Sequence, residues 1–236
     1  MLNRNHLSAA CAVAFLAGSA QAVVVTYNNR AAWNAAIGGP AFMQNFAPFA
    51  ADTSFQAAAV NIGGGMQLRQ VGPGAARNEI DVPALVFADN NGTQNASCYV
   101  NAPDPGIGPT MVYVDFLTIV CAWGADFWGA NSGEGLTVEV LSPAGAVLAT
   151  MNATGVAGEF MGFTCAPGEV RWVRYRSRTA IAGGTGEGFG SDNYSLKYSC
   201  PVLVACYANC DHSTVTPVLN VNDFQCFMNA YASGCP

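Results

Sequence analysis

Five oxygen-bearing side chains near the C-terminal end stand at spacings that suit a hard cation. Asn209, Asp211 and Ser213 alternate, and Asn220 and Asp223 follow three residues apart where the chain turns helical. Calcium is held by flexible cages of carboxylate, amide and hydroxyl oxygens, so the set reads as a calcium loop. After Asp223 the apolar residues Phe224, Phe227, Met228 and Tyr231 recur at i, i+3, i+4 and i+7, which predicts one helical stripe that Gly234 can end. The competing expectation for the same residues is a polar loop stapled by disulfides and holding no metal.

From about Cys206 to Cys235 this tail resembles a dockerin half-repeat, and most closely the cysteine-bearing, GC-type variant of planctomycete secreted proteins. The resemblance implies calcium on Asn209, Asp211, Ser213, Asn220 and Asp223, and docking to a cohesin-like or cell-surface partner. Two departures stand out. Asn209 and Asp223 lie fourteen positions apart instead of the standard eleven, which places a three-residue insertion between Thr214 and Val218, beside the rigid Pro217. Dockerins also pair two half-repeats, and the tail shows one.

Cysteines frame the same region. Of nine, Cys11 falls in the leader described below, which leaves Cys98, Cys121, Cys165 and Cys200 in the body and Cys206, Cys210, Cys226 and Cys235 in the tail. An even count in an exported chain predicts disulfides, with three pairings open in each group. Zinc is disfavoured, because the cysteines lack the paired short knuckles of zinc sites.

A second chemistry-bearing stretch is Arg171-Trp172-Val173-Arg174-Tyr175-Arg176-Ser177-Arg178. As a strand it places Trp172, Arg174, Arg176 and Arg178 on one face and Arg171, Val173, Tyr175 and Ser177 on the other. Trp123, Trp128, Trp172 and Tyr175 are candidate rings to stack on sugars, and guanidinium groups beside them that pair with carboxylates or sulfates make Trp172, Arg174 and Arg176, with Trp128, a candidate polysaccharide-binding surface. The alternative is that the arginines pair with neighbouring acids on a solvated face while the tryptophans fill the core.

Nucleophilic catalysis has little to work with. The chain has two histidines, His6 in the leader and His212 in the tail loop, so Ser-His-Asp and Cys-His mechanisms have no base in the body. A glycoside hydrolase or lyase using a carboxylate pair remains the enzymatic alternative, drawing on Asp115, Asp126, Glu134, Glu139 and Glu159. The leading expectation is a non-catalytic binding module for glycan or a cell surface, serving extracellular polysaccharide breakdown; a structural surface protein is the third. Asp192-Asn193 reads as a turn, with a structural calcium at Asp192 as its alternative.

These groups must be positioned by elements that the pattern also predicts. Residues 1–22 read as a secretory signal peptide, with Arg4, an apolar run from Leu7 to Leu16 and Ala20-Gln21-Ala22 as its cleavage site. Its apolar run is too short to span a bilayer and no later one is longer, so no transmembrane segment is expected. The net charge of −6, or −7 without Arg4, disfavours nucleic acid and anionic membranes. β-branched and aromatic runs predict strands at Val23 to Tyr27, Ala41 to Phe46, Met66 to Val71, Ala84 to Phe87, Met111 to Val120, Ala125 to Trp128, Leu136 to Leu141, Val147 to Met151, Glu159 to Thr164, Val170 to Ser177 and Phe189 to Tyr198. A short helix is expected over Arg30 to Ala36, capped by Asn28 or Asn29. Ser142 to Gly145 and Ala166 to Gly168 read as hairpin turns. Asp89 to Ser97 and Asn101 to Pro109 read as loops tied down by Cys98.

The expected fold is therefore mainly β: a jelly-roll-like antiparallel β-sandwich over residues 23–199, then a small dockerin-like calcium-loop and helix unit over 200–236. The body, through Tyr27 and Trp33, Ala125-Asp126-Phe127, Phe160-Met161-Gly162-Phe163 and Phe189-Gly190-Ser191-Asp192-Asn193-Tyr194, is similar to exported β-sandwich proteins that elsewhere carry PEP-CTERM sorting tails. That resemblance implies an extracellular role.

Overall fold

The computed structural model describes residues 24–73, 78–82, 94–101, 109–129, 135–178, 186–200 and 221–232. Among them, fourteen strands form two antiparallel sheets. The larger holds β1 (Val25–Tyr27), β2 (Phe42–Gln44), β3 (Thr53–Ser54), β6 (Glu79–Asp81), β7 (Asn95–Val100), β9 (Ala122–Trp128), β12 (Glu159–Thr164) and β14 (Glu187–Lys197). The smaller holds β4 (Val60–Gly63), β5 (Met66–Val71), β8 (Met111–Phe116), β10 (Leu136–Leu141), β11 (Val147–Asn152) and β13 (Trp172–Ser177). Their orders are β1-β12-β9-β14-β7-β6-β3, with β2 also on β14, and β11-β10-β13-β8-β5-β4.

The two sheets enclose one core because alternate residues of both point inward. Trp123, Phe127, Phe163, Phe189 and Tyr194 from the larger sheet meet Leu68, Phe116, Val138, Val173 and Tyr175 from the smaller, all at most 1 % exposed. The rings pack edge to face, with centroids 5.6 Å apart for Phe127 and Tyr175 and 5.7 Å for Trp123 and Tyr194. Each such burial contributes about 1.5–3 kcal/mol. The polar tips are met as well: Tyr175 donates to Tyr194 Oη at 3.0 Å, and Tyr194 shares a 2.6 Å hydrogen bond with Ser191.

Helix α1 (Arg30–Ile37) covers part of the larger sheet's outer face. Asn29 caps it by accepting from the Ala32 amide at 2.9 Å, and Gly38 ends it in the left-handed region at φ 66°. Trp33 and Ile37 lie on Phe160 and Ala122, and Trp33 Nε1 donates to the Phe163 carbonyl at 3.0 Å. Phe160 fits because its flanking outward positions are Gly124 and Gly162, paired directly across β9 and β12; a Cβ at Gly124 would stand 2.4 Å from its ring.

Several expectations need correction. Ala166 to Gly168 does turn, with Gly168 at φ 84°, but it carries the chain from one sheet to the other and is no hairpin. Ser142 to Gly145 is the hairpin expected, closed by the Gly145 amide donating to the Ser142 carbonyl at 2.9 Å. Asp192-Asn193 is not a turn but a bulge inside β14: the partner on β9 of Asp192 is Asp126, yet that of Ser195 is Gly124. Asn193 takes φ 51°, and the extra residue restores the inward direction for Tyr194 and Leu196. Asn95 to Cys98, expected as loop and tether, are buried in β7 instead.

The expectation that all four body cysteines are bridged also fails. Cys121 pairs with Cys200, with Cα atoms 5.6 Å apart, whereas Cys98 and Cys165 are buried thiols. Burial pushes the Cys98 thiol up to about 12 against the opposing pull of Ser191; burial and the charge of Glu169 do the same for Cys165.

Candidate functional site

Alternation along β13 puts Trp172, Arg174 and Arg176 outward and Val173, Tyr175 and Ser177 inward, as the sequence predicts. Register then builds a row across the smaller sheet's outer face. Arg69 of β5 stands opposite Tyr113 of β8, Tyr113 opposite Arg174, and Arg174 opposite Glu139 of β10. In the neighbouring row Trp172 lies between Leu141 and Asp115.

The row is bonded along its length. Glu139 accepts from Arg174 Nε at 2.7 Å and from Arg176 Nε at 2.6 Å, and Arg174 Nη2 lies 2.5 Å from the same carboxylate. Arg174 Nη1 reaches Tyr113 Oη at 3.4 Å. Burial works against the charge on Arg174, but Tyr113 and Glu139 outweigh it and raise the guanidinium above its ordinary value. Arg69 donates to Asp115 at 2.6 Å and lies over the Tyr113 ring at 4.3 Å. Asp115 Oδ1 is buried without a hydrogen-bond partner among the described residues, the kind of unmet acceptor that an ordered water or ligand hydroxyl satisfies.

Of the residues read as a ligand surface, the structure brings together Trp172, Arg174 and Arg176, separates Trp128, and removes the candidate rings Trp123 and Tyr175, which are fully buried in the core. Trp128 alternates with the core residue Phe127 and so lies on the outer side of the other sheet, beside Gly158 and nearly buried. The pairing of arginines with acids is also present, since Glu139 and Asp115, weighed as catalytic candidates, are the partners of these arginines. Sequence reading missed Arg69 and Tyr113, although Gln67-Leu68-Arg69 and Val112-Tyr113-Val114 carry the alternation that would have placed them.

A second concavity, of about 840 Å³, opens where β1 and β11, one edge strand of each sheet, come together. Tyr27, Asn28, Arg30, Asp126, Asn152 and Glu159 are among its lining. Asp126 accepts from Arg30 Nε at 3.1 Å and from Asn193 Nδ2 at 3.0 Å; Arg30 also donates to Ser195 and to the Asn193 carbonyl, and lies 4.6 Å over the Phe160 ring. Glu159 accepts from the Thr154 amide and hydroxyl, at 2.9 and 2.7 Å to Oε2. Two carboxylates thus share one cleft, but they do not face each other as an acid and nucleophile pair. Asp126 is registered with Phe160 on the helix side of the sheet, and Glu159 with Phe127, whose side is the core.

The chain matches no protein-family model and no curated protein.

Of the expected calcium ligands, Asn209, Asp211, Ser213 and Asn220 lie outside the described residues, as do Cys206, Cys210 and Cys235. Asp223 lies in the first turn of α2 (Val221–Ala232) and is 2 % exposed. That placement fits a ligand closing a loop at a helix entrance, and equally a carboxylate at the positive end of the helix dipole. Cys226 is disulfide-bonded. Val221, Phe224 and Met228, one stripe of α2 by spacing, are 77 %, 64 % and 43 % exposed.

Proposed function

We propose that the two sheets form a jelly-roll-like sandwich that acts as a non-catalytic extracellular module for acidic polysaccharide, bound on the outer face of the smaller sheet. The observation that carries this reading is the row of Arg69, Tyr113 and Arg174 with Arg176 and Trp172 beside it. Three arginines stand against two carboxylates there, in a chain of net charge −6. Arg69 gives only its Nε to Asp115, which leaves its terminal amino groups for a ligand, and the side chain of Arg176 is 39 % exposed. From strand spacing and rise the two stand about 12 Å apart, so they can pair with successive acidic groups of one extended chain. Guanidinium groups hold carboxylates and sulfates through paired donors, and Tyr113 and Trp172 offer rings to the sugars between.

The tail attaches this module. Asn209, Asp211, Ser213, Asn220 and Asp223 hold calcium, and the ordered loop presents helix α2 to a cohesin-like or cell-surface partner; the exposed stripe of Val221, Phe224 and Met228 supports that role. Bound calcium contributes charge and order to the loop.

Affinity electrophoresis through polygalacturonate, dextran sulfate and neutral dextran tests the first half. Retardation by an acidic polymer, weakened about tenfold in Arg69→Ala/Arg176→Ala and by added salt, is the expected result. Equal migration of protein and variant in every gel would remove the reading. Calcium calorimetry on the disulfide-intact chain and on Asp211→Ala/Asp223→Ala tests the second half: heat that the double variant abolishes is expected, and absence of heat makes the tail a disulfide-stapled loop.

A further inference from the structure

The cleft at the β1 and β11 edges has the size of a small-molecule site and chemistry opposite to that of the arginine face. Its one guanidinium is engaged through all three nitrogens: Arg30 uses Nε and Nη2 on Asp126, Nη1 on Ser195 and Nη2 again on the Asn193 carbonyl, with its plane over Phe160. Two carboxylates remain, Asp126 and Glu159, so the lining repels an anion.

What the cleft offers instead is a set of hydrogen-bond donors and acceptors fixed from behind. Glu159 is fastened by Thr154, and its oxygens keep lone pairs for ligand hydroxyls. Asp126 is held in the same way by Arg30 and by Asn193, whose left-handed backbone in the β14 bulge places the amide there. Asn152 accepts from Thr137 Oγ1 at 3.0 Å through Oδ1, which leaves its amide hydrogens as donors. Tyr27 adds a half-buried ring. Hydroxyl-rich, uncharged molecules with an apolar face satisfy such a lining: carboxylates take paired hydroxyls, amides take the rest, and the ring takes the face.

We infer that this cleft is a second binding site, one that takes neutral sugar residues. Register joins it to the arginine face, because Asn152 pairs with Thr137 and Thr137 with Arg176, while Thr150, also in the cleft, pairs with Glu139 and so with Arg174. One chain with acidic residues on the face and neutral residues in the cleft is the ligand class this continuity favours; that extension rests on the acidic-polysaccharide reading, and the cleft site does not.

Titration by two-dimensional NMR separates the two. The probes are neutral tri- and tetrasaccharides of glucose, mannose, xylose and galactose, and trigalacturonate. The variants are Asn152→Ala and Val156→Trp, which fills the cleft from a position that is 63 % exposed, against Arg69→Ala/Arg176→Ala on the face. Saturable shifts with a neutral probe, lost or weakened about tenfold in both cleft variants and retained in the face variant, are expected. No saturable shift with any neutral probe at millimolar concentration, or shifts that survive Val156→Trp in a variant whose amide spectrum is otherwise native, would overturn the site. Loss of trigalacturonate binding with neutral binding intact removes the face and leaves the cleft, and the reverse removes the cleft alone.

Discussion

On the larger sheet the outward positions of β9 and β12 include Ala122, Gly124, Phe160 and Gly162, and α1 lies on them through Trp33 and Ile37. On the smaller sheet the outward positions of β5, β8, β10 and β13 include Arg69, Tyr113, Asp115, Glu139, Arg174 and Arg176, which bond to one another. Both faces start from the same pleat. Two glycines and one phenylalanine create a socket that is unstable until a helix fills it, whereas a charge row satisfies itself side by side and leaves spare donors pointing at solvent. A sheet's outer residues thus decide whether a face is covered by another element or stays exposed.

The largest expected effect falls between the faces, in the core they share. Burial raises Tyr175 and Tyr194 well above the ordinary tyrosine value, and raises Cys98 to about 12. Raised acids stabilise the fold fully while the unfolded groups are still protonated, so this stability is present below about pH 9 and is lost as the pH climbs toward 12. Urea unfolding between about pH 8 and 11.5 should show the decline, and Cys98→Ala should flatten its lower part; a constant midpoint would contradict it.

Trp33→Ala comes next, removing the helix's anchor and its bond to Phe163, with a loss of about 3–5 kcal/mol in chemical denaturation. A loss below about 1 kcal/mol would show that the socket needs no cover, and would break the contrast. On the open face, Arg174→Ala/Arg176→Ala strands the Glu139 carboxylate, 4 % exposed, and should cost about 2 kcal/mol, with Glu139→Gln in that background restoring part of it. Arg69→Ala should be smallest, about 1–2 kcal/mol, because it breaks one ion pair where the double variant breaks two, yet still leaves Asp115, 7 % exposed, without its guanidinium; a loss as large as that of Trp33→Ala would mean the row is structural in the way the socket is.

Strands bordered by glycine were legible to the residue: Met66–Val71 and Leu136–Leu141 by a plain hydrophobic alternation, and Glu159–Thr164 by a short apolar run that is buried on both faces. An asparagine cap for α1 was legible from side-chain chemistry, though the choice of Asn29 over Asn28 was not. β7 was not, because its inward residues Ala96, Cys98 and Val100 are mostly small and its other face, though buried, is polar: Asn95 and Ser97 are fully buried and Ser97 donates to Asp81. β3 and β4 were also missed, being too short to display a period. The bulge did leave a trace, since the apolar positions Phe189, Tyr194 and Leu196 change parity across Asp192-Asn193, which only an inserted residue can reconcile. Cysteine counting failed for a different reason, because an even number does not say which thiols stand within reach of each other. Of the arginine face, one strand was read in advance; local alternation also tells which way Arg69 and Tyr113 face, but that they stand in one row with Arg174 and Glu139 depends on register across distant segments, which no local pattern encodes.

Cys200 lies three residues beyond β14, and its bond to Cys121 reaches the residue that precedes β9. These two strands are neighbours in the middle of the larger sheet and run antiparallel, so the disulfide ties the end of one to the beginning of the other. A pull on the chain after Cys200 therefore cannot peel β14 away from β9 one hydrogen bond at a time, starting from that end. The load enters both strands together, through a covalent link, and the sheet meets it as a unit.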